Sequence, residues 1–176
     1  MPKILAINGS ATPNSSNLTL INKVRELIGT EFEFHIYDDL AILPHFNTEF
    51  TDNNVPSEVV KFREAVISAD GVLICTPEYV FSIPSRLKNA IEWCVSTVVF
   101  SDKPTGIITA SASGMKGHGE LQLIMRTVQA DFNDETTLLI QGVKGKINGE
   151  GEVTHQATRE SLDRFAQSFV QLVSKR

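Results

Sequence analysis

Five short apolar runs, each followed by a loop and then a stretch of helical periodicity, constrain the fold of this chain more than any other feature. The runs predict strands over residues 3–8, 31–38, 70–76, 104–110 and 135–141. Ile4 to Ile7, Val72 to Cys75 and Gly106 to Thr109 are almost unbroken, as expected of central strands covered on both faces. The segments between carry apolar stripes at the 3.6-residue period: Leu20, Ile21, Val24 and Ile28; Val59, Phe62 and Val66; Leu87, Ala90, Ile91 and Cys94. Leu121, Ile124, Met125 and Val128 form another, and Leu162, Phe165, Ala166, Phe169 and Val173 the last. Right-handed crossovers place such helices on both faces, so the alternation predicts an α/β fold around a doubly wound parallel sheet. The 176 residues fit one domain, 1–176, with long loops at 39–56 and 142–153. The second loop is rich in glycine and has room for a small hairpin.

Composition removes several function classes. The net charge of −5, with scattered Lys and Arg, argues against nucleic-acid and anionic-lipid partners. No apolar stretch approaches the ~18 residues a membrane span needs. Cys75 and Cys94 form neither a CxxC nor a zinc spacing, so a reducing cytoplasm is the default compartment.

In open α/β sheets the ligand sits beyond the carboxyl ends of the strands, where strand order reverses. For a sheet in order 2-1-3-4-5, the loops after strands 1, 3 and 4 matter most. The first, Asn8 to Asn17, is dense in Gly, Ser, Thr and Asn and can surround an anion at a helix N-terminus, or simply cap that helix. It matches neither GxGxxG nor GxxxxGK[ST]. The second runs from Thr76 to Pro84, where two prolines and the edges Tyr79 and Phe81 offer a stiff shelf for a planar ring, or an ordinary strand-to-helix connection. The third, Ser111 to Gly119, has three glycines that permit close backbone approach or merely a flexible surface loop.

Pro77-Glu78-Tyr79, then Ser82-Ile83-Pro84, then Leu87-Lys88-Asn89-Ala90-Ile91-Glu92-Trp93 resembles the pattern PEYNxSxPxxLKNAxDW of the NADPH-dependent FMN reductase family. Gly9, Ser10, Ser15 and Asn17 match its GSxRxxSxN in part. The resemblance spans the chain except the C-terminal third, which agrees only in pattern. It implies a flavodoxin-like three-layer sandwich, FMN as cofactor, NADPH or NADH as donor, a small-molecule electron acceptor (quinone, flavin, azo compound or metal ion), and a homodimer or homotetramer. Ser10, Ser15, Ser16 and Asn17 would bind the flavin phosphate. Pro77, Glu78, Tyr79 and Val80 would run along the isoalloxazine ring, with Ser111 and Gly114 nearby. Two positions depart from the pattern: Thr12 replaces the phosphate-loop Arg and Val80 replaces the Asn after Glu-Tyr. A charged hydrogen bond is worth ~1.5–3 kcal/mol, so Thr12→Arg is expected to tighten FMN by roughly ten-fold or more.

The cofactor carries the chemistry, so the implied cycle is ping-pong and no side-chain acid or base is assigned. His118 reads as a solvated loop residue, Glu78 as structural or a flavin neighbour, and Cys75 as a small hydrophobe. Trp93 and Cys94 lie in an amphipathic helix and read as core or subunit packing, and Trp93, Phe46 and Phe50 together suggest aromatic surface for the latter. A Cys-x5-Arg phosphatase is excluded, since Phe81 and Phe100 stand where the arginine belongs. No GxSxG supports a serine hydrolase. A non-enzymatic electron carrier or redox-sensing flavin module stays open as the alternative.

Overall fold

A computed structural model describes residues 1–50 and 53–175. Five parallel strands, β1 (Lys3–Asn8), β2 (Glu33–Tyr37), β3 (Gly71–Thr76), β4 (Thr105–Ser111) and β5 (Thr137–Gln141), form one sheet in the order β2-β1-β3-β4-β5. Helices α1 (Ser16–Ile28) and α5 (Gln156–Ser174) cover one face. Helices α2 (Ser57–Ser68), α3 (Ser85–Glu92) and α4 (Met115–Thr127) cover the other. This is the expected flavodoxin-like architecture.

The unbroken apolar runs follow from strand geometry, because successive side chains enter opposite layers. Leu5, Ile7, Val72 and Ile74 pack under Val59, Phe62, Leu87 and Leu121. Ile4, Ala6, Leu73 and Cys75 pack under Leu20, Val24, Phe165 and Phe169. The polar residues these strands do bury, such as Thr105 and Thr109, have hydrogen-bond partners in Lys103 O and His118.

Element ends differ from the sequence reading where local hydrogen bonding competes with the sheet. β5 starts at Thr137, not at 135, because Asn133 Oδ1 accepts from the Glu135 and Thr136 amides at 2.9 and 3.2 Å. That capping box winds Asp134–Thr136 into a 3-10 turn. A similar turn, Gly29–Glu31, delays β2 to Glu33. In loop 142–153 the anticipated hairpin is reduced to an antiparallel bridge between Ile147 and Val153. Loop 39–56 includes Thr51 and Asp52, which lie outside the described residues.

Trp93 is 1 % exposed and belongs to the core, so of the three aromatics expected at a subunit surface only Phe50, 39 % exposed, stands open. Its Nε1 donates to the Pro44 carbonyl at 2.7 Å, and Phe46 packs edge-on at 5.3 Å. Asn89 holds the same segment, donating to Pro44 O and accepting from the Phe46 amide at 2.8 Å. The Lys-Asn-Ala-Ile-Glu-Trp run thus fastens the segment after β2 onto α3.

Candidate active site

The carboxyl ends of β1, β3 and β4 open into a cleft of about 630 Å3, within the usual range for small-molecule sites. Ser10, Ser15, Ser16, Asn17, Pro77, Tyr79 and Ser111 all line it. Glu78, Val80 and Gly114, also expected at the cofactor, do not line it, and each has a distinct local task.

The first loop leaves β1 through Gly9, whose amide donates to Cys75 O at 2.8 Å. A Cβ at Gly9 would stand 2.5 Å from Thr76 Oγ1, so only glycine fits this approach. Ser10 N donates to Asn8 Oδ1 at 3.1 Å, and Thr12 N to Ser10 Oγ at 3.2 Å. Ser15 is the N-cap of α1, its Oγ accepting from Leu18 N at 3.2 Å. The first-turn amides of Ser16 and Asn17 have no intrahelical acceptor and are oriented for an anion. The buried Asn17 side chain acts differently. Its amide nitrogen donates to Ala110 O at 3.3 Å, while Cys75 Sγ donates to its Oδ1 at 3.4 Å. These bonds hold the N-terminus of α1 over β4. Burial pushes the Cys75 thiol far above its usual range, so it is inert packing.

The second loop is folded on itself. Tyr79 and Ser82 exchange both backbone hydrogen bonds, at 2.9 and 3.0 Å, around a two-residue turn. The turn places Val80 at φ +51° and Phe81 at φ +59°. Left-handed backbone of this kind favours Gly, Asn or Asp, and a β-branched valine there is an outlier. This gives a backbone reason for the family's Asn at position 80. Val80 is 95 % exposed and Phe81 75 % exposed, so intramolecular burial does not offset the strain. Burial would raise the Tyr79 phenol, but hydrogen bonds with Ser10, Thr12 and the Ala11 backbone, and Arg86 nearby, hold it below its ordinary value. The Tyr79 phenol thus stands beside the first loop, on the same cleft wall as Ser10 and Thr12.

Glu78 joins the second and third loops. Its carboxylate accepts from Gly117 N at 2.8 Å and Gly114 N at 3.1 Å, at the N-terminus of α4. The Gly117 bond contributes most to holding the carboxyl below its ordinary value, against the opposing effect of burial. A side chain so occupied is a structural clamp and a poor proton acceptor. Gly114, at φ +83°, is the N-cap of α4. Ser111 Oγ donates to Glu78 O at 3.4 Å.

The third loop is shorter than expected, because α4 begins at Met115. Gly117, His118 and Gly119 are therefore helical. A Cβ at Gly117 would press on Ser82 O at 3.2 Å, so this glycine serves loop packing. His118 is half-buried, with Nδ1 2.9 Å from Thr109 Oγ1, and burial lowers its pKa. It is not a solvated loop histidine.

Lys144 and Gly142 also line the cleft, and the sequence reading had not singled them out. The available signal was their place directly after a fifth strand. A larger groove, about 750 Å3, lies between α1 and residues 150–154. Its charged lining is mixed, with Glu26, Glu150 and Glu152 beside Lys23 and Arg159, and it lies away from the carboxyl-end loops of β1, β3 and β4. No group of three or more potential metal ligands occurs among the described residues.

The fold, with hydroxyls and helix amides at one end of the cleft and a proline-stiffened aromatic edge at the other, defines a flavodoxin-like nucleotide-binding protein. Residues 2–142 match the NADPH-dependent FMN reductase family, and the chain belongs to that family. Its class of activity is therefore NAD(P)H-dependent reduction with FMN as cofactor. A 2-hydroxy-1,4-benzoquinone reductase of a Burkholderia species is 29 % identical, over 99 % of this chain and 97 % of its own. An NADPH:quinone oxidoreductase of Arabidopsis thaliana is 30 % identical, over 91 % and 86 %. The structure of FerB, a flavoenzyme NAD(P)H:(acceptor) oxidoreductase from Paracoccus denitrificans, superimposes with a TM-score of 0.82. It is 25 % identical and covers 99 % of this chain and 98 % of that one.

Proposed function

We propose that this protein binds FMN in the 630 Å3 cleft and reduces a small organic acceptor, a quinone in particular, at the expense of NADPH or NADH. The observation that carries the reading is the convergence of Ser10, Ser15, Ser16, Asn17, Pro77, Tyr79 and Ser111 on one cavity. The quinone preference draws on the names of the relatives in Burkholderia and Arabidopsis.

When bound, FMN supplies the two-electron carrier that couples nicotinamide to acceptor. The chain binds and orients it. Ser10, Ser15 and the first-turn amides of α1 face the phosphate end, where the helix N-terminus favours negative charge. Pro77 and Tyr79 supply the flat edge for the ring. The Tyr79–Ser82 pairing leaves the Val80 and Phe81 amides outside the turn, free for ring heteroatoms. Glu78 is committed to the α4 N-terminus and His118 to Thr109, so neither is assigned a proton-transfer role.

We also infer a homodimer or homotetramer. Support comes from the exposed Val80, Phe81, Val95, Val98, Met115 and Leu123, which replace the aromatic surface expected at Trp93. Sedimentation equilibrium showing a 19.4 kDa species at micromolar protein would count against it. Cys75 and Cys94 are unpaired and buried, which suits a reducing cytoplasm, and no helix of the described residues is long and apolar enough to cross a membrane.

Steady-state NADPH and NADH oxidation with a quinone tests the activity. Turnover coupled to quinone consumption is expected. Flavin binding without nicotinamide oxidation would favour the electron-carrier reading.

A further inference from the structure

The family's phosphate-loop cation is absent at Thr12, yet the cleft is not without positive charge. We propose that Lys144 supplies, from the loop after β5, the cation for the FMN phosphate that position 12 lacks. The inference rests on the FMN reading above and adds a residue to it.

Topology brings the two walls together. The Asn17 bond to Ala110 O seats the α1 N-terminus, and hence the phosphate end of the cleft, over β4. β5 is the adjacent strand, with Ala110 opposite Ile140 and Ser111 opposite Gln141. Neighbouring strands lie ~4.8 Å apart, a spacing the four-carbon lysine stem can cross. The chain leaves β5 at Gln141 and turns at once: Gly142 N donates to Ala112 O at 3.0 Å, and Val143–Gly145 forms a 3-10 turn. Val143 is buried in the same layer as α1, so the turn is anchored while Lys144 stays exposed on the cleft wall.

Charge supports the assignment. The chain carries 21 Asp and Glu, but none lines this cleft. Lys144 is the sole charged residue among the described lining residues, and it forms no ion pair with any described carboxylate. The larger groove beside α1 shows the contrast, since its Lys23 and Arg159 share the lining with three glutamates. A lysine acts on phosphate as a point charge and needs no bidentate geometry, so approach from the opposite wall is sufficient.

The test is a set of fluorescence-quenching titrations of FMN and riboflavin against wild type, Lys144→Gln, Arg86→Ala and the double variant Lys144→Gln/Thr12→Arg. Circular dichroism confirms that each is folded. Lys144→Gln is expected to weaken FMN by about ten-fold, the value of a modest charged hydrogen bond, and to leave riboflavin unchanged. The loss should shrink at high salt, and Thr12→Arg should restore FMN affinity in the double variant. Wild-type FMN affinity in Lys144→Gln would overturn the inference. So would an equal loss for riboflavin, which has no phosphate, or a phosphate-selective loss in Arg86→Ala alone. Failure of the wild type to bind any flavin would instead overturn the FMN reading itself, and the inference with it.

Discussion

Replacing Val80 by asparagine should stabilise the protein, although it removes an apolar side chain. Val80 occupies the first central position of the Tyr79–Ser82 turn at φ +51°. Left-handed backbone costs an L-residue roughly 1–2 kcal/mol, and Asn relieves part of that cost through local hydrogen bonding. Little packing within the chain is lost in exchange, because the valine side chain is 95 % exposed there. The net gain should be roughly 1 kcal/mol, which for a chain of this length raises Tm by about 2–4 °C. Urea unfolding of flavin-free protein at fixed concentration reads this directly, as a higher midpoint at unchanged m-value. Flavin must be absent, since ligand linkage would otherwise mix binding with folding. Val80→Thr, still β-branched and unable to relax the backbone, should show no gain. A Val80→Asn midpoint at or below wild type would refute the left-handed assignment of this turn.

Glu78→Gln tests the clamp between the second and third loops. The native state holds Glu78 below its ordinary pKa, so its carboxylate contributes stability above the unfolded value of about 4.3, lost as pH falls through the native value. Wild type should therefore exceed Glu78→Gln in urea midpoint at neutral pH, with the gap closing as pH falls below the unfolded value; a gap independent of pH would contradict the clamp. Gly9→Ala would drive a Cβ to 2.5 Å from the buried Thr76 hydroxyl, costing roughly 1–3 kcal/mol by overpacking and weakening flavin binding as the first loop shifts. An Ala variant as stable as wild type would show that the loop leaves β1 differently. Trp93→Phe loses the bond to Pro44 O and part of a fully buried ring, so thermal stability should fall by roughly 1–3 kcal/mol and proteolysis should begin near residues 39–50. Unchanged cleavage kinetics would mean that Asn89 holds this segment alone.

The sheet was legible because a strand buried on both faces admits few residue types, and Ile4 to Ile7 or Val72 to Cys75 can be little else. Its ends were not, since the Asn133 capping box and the Gly29–Glu31 turn are settled by side-chain bonds and local backbone competition that periodicity does not register. The three cleft loops were visible through strand order and composition, but their internal bonding was not. Nothing in Pro77-Glu78-Tyr79 says that the carboxylate would turn away to cap α4, or that His118 would lie inside that helix. Trp93 read equally well as core or surface, and the decision lies with Pro44, 49 positions earlier in the chain. Lys144 escaped notice because a single lysine in a glycine-rich loop has no signature until β5 is placed beside β4.

Equilibrium dialysis of the purified protein against FMN tests the central claim most directly. The account predicts saturable binding of one FMN per chain, weakened by Ser10→Ala and by substitution of Lys144. A protein that is folded by circular dichroism yet retains no flavin against millimolar FMN would contradict it.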